Sequence, residues 1–137
     1  MYTLLKLLFI HIPLIVSTST STFSLEHLTE QNTLSFRVPA GAYSTKVLRV
    51  HDGDTAICAF ELWGQQFHSR VRFKDICAPE LNTIEGKQVR DVVQTRIEGK
   101  LGILQVDKNI EKYGRILGDL IIDDESINEW LSQNFSC

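Results

Sequence analysis

Thr55-Ala56-Ile57-Cys58-Ala59-Phe60-Glu61-Leu62, then Trp63-Gly64-Gln65-Gln66, then Phe67-His68-Ser69-Arg70-Val71-Arg72-Phe73-Lys74-Asp75-Ile76 is the stretch that decides the fold. Two β-rich runs flank a short polar break that holds a glycine, which is the pattern of a hairpin. A turn centred near Gly64 and Gln65 folds the Asp52 to Thr55 segment back beside Lys74 to Cys77. Two acidic clusters therefore meet at one end of a sheet, a consequence of turn position alone.

Working outward, Lys46 to Val50 is a further strand that runs into the Asp52-Gly53-Asp54 turn. Glu85 to Lys100 has the period of a helix, with Val89, Val92, Val93 and Ile97 on one face and Gly99 as its stop. Leu101 to Val106 alternates as a fourth strand, Asp107 to Gly114 is a charged loop, and Arg115 to Ile122 is a fifth strand. Asp123 to Ser126 offers an N-cap for a last helix, Ile127 to Phe135, on which Ile127, Trp130 and Leu131 share a face. Five short strands with a helix between the third and fourth predict a mainly β fold with α (α+β), closed as a small barrel whose edges the helices help to cover. From Phe23 to Tyr43 the pattern is thin: Leu34 to Val38 alternates, Pro39-Ala40-Gly41-Ala42 breaks it, and the segment reads as an N-terminal arm.

The 137 residues suit one folded domain, 44–137, behind that arm (23–43) and a leader (1–22). The leader carries Lys6, an apolar run from Leu7 to Val16 and a small polar tract, the order of a secretory signal peptide; an uncleaved anchor or a buried helix is the alternative. The expectation is an exported protein without stable membrane association once the leader is removed. A net charge of −3 excludes a strongly basic partner-binding protein, so contact with nucleic acid must come from a local basic patch. Cys58, Cys77 and Cys137 are an odd set, which predicts a fold that stands without bridges.

The chemistry gathers at Arg72-Phe73-Lys74-Asp75-Ile76-Cys77-Ala78-Pro79-Glu80. A guanidinium fork holds a phosphate, and a carboxylate fixed close by can take a proton from water. Alone, an arginine and a glutamate at a strand end are an ordinary surface pair. Upstream Val50-His51-Asp52-Gly53-Asp54-Thr55 and downstream Glu111-Lys112-Tyr113-Gly114-Arg115 give them company.

In that order, Asp-Gly-Asp-Thr, then an arginine eight residues before the glutamate of Ala-Pro-Glu, then Lys-Tyr-Gly-Arg resemble the staphylococcal nuclease (thermonuclease-like) family over roughly Thr45 to Phe135. The resemblance implies an OB-fold barrel and a metal-dependent nuclease that hydrolyses DNA or RNA with little sequence selectivity. It implies Arg72, Glu80 and Arg115 as catalytic residues, Asp54 as a metal ligand, Lys112 and Tyr113 as substrate-binding residues, and calcium as the ion. Asp52 is left as a turn former or an outer partner of the metal site. Arg70 lies on the same strand face as Arg72, and only the spacing to Glu80 selects Arg72. At the position where the family pattern has a second metal aspartate this chain has Cys77, too soft a donor for calcium. Asp75 is the substitute oxygen donor if the strand stays regular to that point, and manganese or magnesium are the alternative ions. Nucleic acid is the expected partner and a monomer the expected state. The competing expectation is a barrel that has lost catalysis and binds single-stranded nucleic acid or a protein.

Overall fold

The computed structural model describes residues 25–109 and 111–135. The leader lies outside them. The chain divides into two compact units, Met1–Arg37 and Val38–Cys137. In the first, Thr29 and Asn32 close a turn on each other: the Thr29 amide donates to Asn32 Oδ1 (2.8 Å) and the Asn32 amide to Thr29 Oγ1 (3.3 Å). Leu34 to Val38 takes no part in a sheet.

The second unit is mainly β with two helices. Among the described residues its strands are β1 (Gly41–Asp52), β2 (Thr55–Leu62), β3 (Gln65–Phe73), β4 (Leu101–Val106), β5 (Ile116–Ile122) and β6 (Glu125–Ser126); its helices are α1 (Ile84–Ile97) and α2 (Ile127–Asn134). Strand order in the single sheet is β3-β2-β1-β4-β5-β6, and β3 also pairs with β5. That last pairing is parallel, Val71 opposite Ile116 and Phe73 opposite Gly118, whereas the other pairings are antiparallel. The order therefore returns to its starting strand.

The decisive hairpin forms with Leu62 opposite Gln65 and Thr55 opposite Arg72. Its turn is tighter than the four residues expected: Trp63 and Gly64 both have positive φ (53° and 71°), the two-residue geometry whose twist matches that of paired strands. Beyond the register the Phe73 amide donates to the Asp54 carbonyl (2.8 Å), so the hairpin fastens the start of β2 to the end of β3. The β1–β2 turn is set by Asp52, whose Oδ1 accepts from the Asp54 amide (3.1 Å).

Inward-facing residues Val47, Val50, Ala56, Cys58, Val71, Phe73, Leu104 and Leu120 form the core with Val89, Val93 and Ile97 of α1 and Ile127 and Leu131 of α2. Burial at this density is what offsets the chain entropy of so small a sheet. Thr83 caps α1, its Oγ1 accepting from the Gly86 amide (2.9 Å), and Ser126 caps α2 in the same way through Glu129. Buried Asn128 ties three pieces together: its Oδ1 accepts from the Leu120 amide, and its Nδ2 donates to the carbonyls of Lys74 (3.0 Å) and Gly118 (3.1 Å).

Four expectations are corrected. β1 begins at Gly41, because Gly41, Ala42 and Tyr43 pair with Val106, Gln105 and Leu104, a partner that local pattern does not reveal. Val92 is 46% exposed, and the buried stripe of α1 is Gly86, Val89, Val93 and Ile97. β3 ends at Phe73, and Asp75 has a left-handed backbone (φ 60°), so the strand alternation that would have aimed Asp75 with residue 77 is broken. Finally, Cys77 is disulfide-bonded, while Cys58 is a free, buried thiol. An odd count leaves one thiol over without forbidding a bridge, and burial at Cys58 pushes that thiol up to about 11.

Candidate functional site

Three turns converge at one end of the sheet. Gly53 lets the first two touch: a Cβ there would lie 2.6 Å from Ala78 Cβ and 2.8 Å from Val89 Cγ1, so the Asp-Gly-Asp turn is pressed directly against Ala78-Pro79-Glu80 and α1. Gly86 does the same for the start of α1, where any side chain would collide with the Glu80 carbonyl oxygen. That carbonyl also accepts from the Thr83 amide (3.0 Å) and hydroxyl (2.6 Å), which holds the glutamate turn against the helix start. The third turn, around Glu111 to Arg115, is brought in by the parallel pairing of β5 with β3.

The cavity enclosed by these turns measures about 440 Å³, and Asp54, Arg72, Glu80, Lys112, Tyr113 and Arg115 all line it. Arg72 Nη2 stands 3.8 Å from Asp54 Oδ2, and its guanidinium also donates to the carbonyls of Phe73 (3.1 Å) and Ile76 (2.9 Å), which curls the turn after β3 around it. Burial raises the pKa of the Asp54 carboxyl, adjacent Asp52 raises it further, and the Thr55 hydroxyl and Arg72 pull the other way. Tyr113 is 73% exposed, with Lys112 Nζ 4.8 Å and Arg115 Cζ 5.7 Å from its ring centre.

Arg115 is the most tightly organised member. Its Nη2 donates to Glu111 Oε1 (2.7 Å) and its Nη1 to Thr55 Oγ1 (3.1 Å), while Glu111 Oε2 accepts from the amides of Tyr113 (2.8 Å) and Arg115 (3.1 Å). Arg115 with these amides holds the Glu111 carboxyl down at about 2, and Glu111 in turn raises the guanidinium. Arg115 Nε is buried with no hydrogen-bond partner among the described residues. Glu111 and His51, to which the sequence pattern gave no role, also line the cavity. The signal for Glu111 was present in its four-residue spacing to Arg115.

Asp75 is not in this group. It lines a separate cavity with Lys74, Asp119 and Glu129, and Lys74 Nζ is paired with Asp107 Oδ2 (2.7 Å). Cys77 in its disulfide offers neither thiol nor thiolate. Among the described residues no three His, Cys, Asp or Glu side chains are gathered as a metal cage. The hard-oxygen donors at the cavity are the neighbouring carboxylates of Asp52 and Asp54, with Glu80 on the facing turn. Asp52 and Asp54 are a partial donor set, which would leave a divalent ion dependent on water or a bound anion for its other ligands.

No protein-family model matches the chain, and no curated protein matches it. Among the described residues no helix is long and apolar enough to cross a membrane.

Proposed function

We propose that this chain is a staphylococcal-nuclease-like, metal-dependent phosphodiesterase on an OB-fold barrel, exported, monomeric, and acting on DNA or RNA. The observation that carries this reading is the meeting, in one cavity, of Asp54, Arg72, Glu80, Lys112, Tyr113 and Arg115, drawn from three separate parts of the chain. The return of the strand order to β3 supports the barrel. A disulfide at Cys77 supports export, since such bonds persist in oxidising compartments.

The chain's own residues divide the work. Arg72 and Arg115 take the equatorial oxygens of the phosphodiester and meet the charge that builds on them as water attacks. Glu80, on the facing turn, accepts the proton of that water, its backbone carbonyl held by the Thr83 hydroxyl. Tyr113 offers its exposed face to a base and Lys112 its charge to a flanking phosphate. The cavity wall carries four carboxylates, Asp52, Asp54, Glu80 and Glu111, against three permanent cations, so further positive charge would strengthen the hold on a polyanion there. A divalent ion held by Asp54 and Asp52 would supply it and polarise the phosphoryl oxygen. Calcium, manganese and magnesium are the ions to compare, and the small donor set favours those that keep their water.

The second reading is a binding module that no longer cuts. It is favoured by the disulfide at Cys77, which removes a donor from the position where the resembling family has a metal aspartate. Cleavage of single-stranded and duplex DNA and of RNA across calcium, manganese, magnesium and chelator, with Glu80→Gln as control, separates the two. Metal-dependent cutting that Glu80→Gln abolishes is the expected result; binding without cutting in every metal would replace the enzyme with the module.

A further inference from the structure

Beyond Arg115 the candidate site opens into a second cavity of about 420 Å³, lined by Ser69 and Arg70 of β3, by Thr55, and by the 113–115 turn. His51, Asp52, Tyr113 and Arg115 line both cavities, so the two are compartments of one groove. Their charge differs. The first has more carboxylates than cations, whereas the second sets Arg70 and Arg115 against Asp52 alone, with His51 beside them.

The arginines of this unit fall into two groups. Arg72, Arg90, Arg96 and Arg115 each have a carboxylate partner. Arg49 and Arg70 are exposed, and their side chains have no hydrogen-bond or ion-pair partner among the described residues. These two are neighbours in the sheet: Arg49 of β1 and Arg70 of β3 lie opposite Ile57 of β2 from either side, in one outward-facing row. In a chain with more acidic than basic residues, two guanidiniums kept clear of carboxylates on the row beside the cavity present a local anion-binding track. Arg70 and Arg72 are two residues apart on the same strand face, about 6.6 Å at ordinary strand rise, a spacing comparable with successive phosphates of an extended nucleic-acid strand.

We propose that this second compartment is a subsite for the nucleotide next to the scissile bond, with Arg70 on the adjoining backbone phosphate and Arg49 further along the strand, and that the substrate is a single-stranded polynucleotide. Resting on the phosphodiesterase reading for what happens next door, the subsite makes a claim about binding that stands apart from cutting. Tyr113 lines both compartments, and its exposed ring is free to stack on an unstacked base of a single strand, whereas bases inside a duplex have their faces covered by their neighbours.

The test is fluorescence anisotropy of the full chain with an end-labelled twelve-residue oligothymidylate in chelator, at several salt concentrations. Arg70→Gln and Arg49→Gln are compared with Lys100→Gln, which removes an exposed charge from the connection between α1 and β4. Arg70→Gln is expected to weaken binding roughly tenfold and to lower the slope of log Kd against log salt by about 0.7, the share of one single-strand phosphate contact; Arg49→Gln acts in the same direction and Lys100→Gln leaves both unchanged. Where cutting occurs, the Arg70→Gln loss falls on KM with kcat retained. Equal binding by Arg70→Gln and the parent, a loss matched by Lys100→Gln, or duplex bound as tightly as single strand would overturn the subsite. A parent that binds but never cuts would refute the enzyme while leaving this assignment in place.

Discussion

Gly53→Ala is the perturbation that probes how the site is assembled. Carbon atoms in ordinary contact stand about 3.5–4.0 Å apart. The new methyl would begin 2.6 Å from Ala78 Cβ and 2.8 Å from Val89 Cγ1, one neighbour on the glutamate turn and one on α1. To restore contact distances the Asp-Gly-Asp turn must retreat by about 1 Å, and overpacking of this kind costs about 1–3 kcal/mol. For a domain of this size that corresponds to a fall in Tm of roughly 5–20 °C. Activity is expected to fall further than stability, because the retreat separates Asp54 from Glu80 and misplacement of about 1 Å can cost about a hundredfold. Differential scanning calorimetry and metal-dependent cleavage measure the two effects. In a Val89→Ala background one of the two clashes is gone, so the added cost of Gly53→Ala is expected to shrink by about 1 kcal/mol. A Gly53→Ala protein within 0.5 kcal/mol of its parent, or costs that simply add with Val89→Ala, would refute the close packing of the two turns.

Asn128→Asp keeps the shape of the side chain but removes both donors to Lys74 O and Gly118 O, setting a buried carboxylate against two carbonyls. A loss of about 3–5 kcal/mol at neutral pH is expected in urea unfolding, partly recovered in acid where a protonated carboxyl can again donate; an unchanged midpoint would sink the bridging role of Asn128. Glu111 carries its own pH signature. Its folded pKa lies at about 2 against 4.5 unfolded, so its contribution is fully present above 4.5 and is lost as pH falls towards 2. The stability gap between the parent and Glu111→Gln should thus be constant near neutrality and close in that acid window, and a gap independent of pH would contradict the Arg115 pairing.

Alternation and turn chemistry are local properties, and where they govern, the chain could be read directly. β2 and β4 run from Thr55 to Leu62 and from Leu101 to Val106, as their residue pattern predicts, because each has side chains of alternating demand bounded by turn-forming neighbours. The meeting of the Asp52–Asp54 turn with the end of β3 followed from the hairpin alone. The clustering of Asp54, Arg72, Glu80 and Arg115 was legible through motif order, which stands in for contacts that spacing cannot express. What the tertiary structure decided depends on partners distant in sequence. β4 recruits Gly41 to Tyr43 into β1; the parallel register of β5 on β3 carries Glu111 and Arg115 to the site; the packing direction of α1 leaves Val92 outside. Asp75 turns away because the backbone leaves the strand before it, in a left-handed conformation that aspartate tolerates, with Arg72 donating to the carbonyls of Phe73 and Ile76 on either side. Burial separates the cysteines as well: Cys58 is sealed in the sheet interior as a free thiol, while the exposed Cys77 is bridged. Local pattern specifies the elements and the chemistry they carry; long-range pairing alone determines which of those groups face one another.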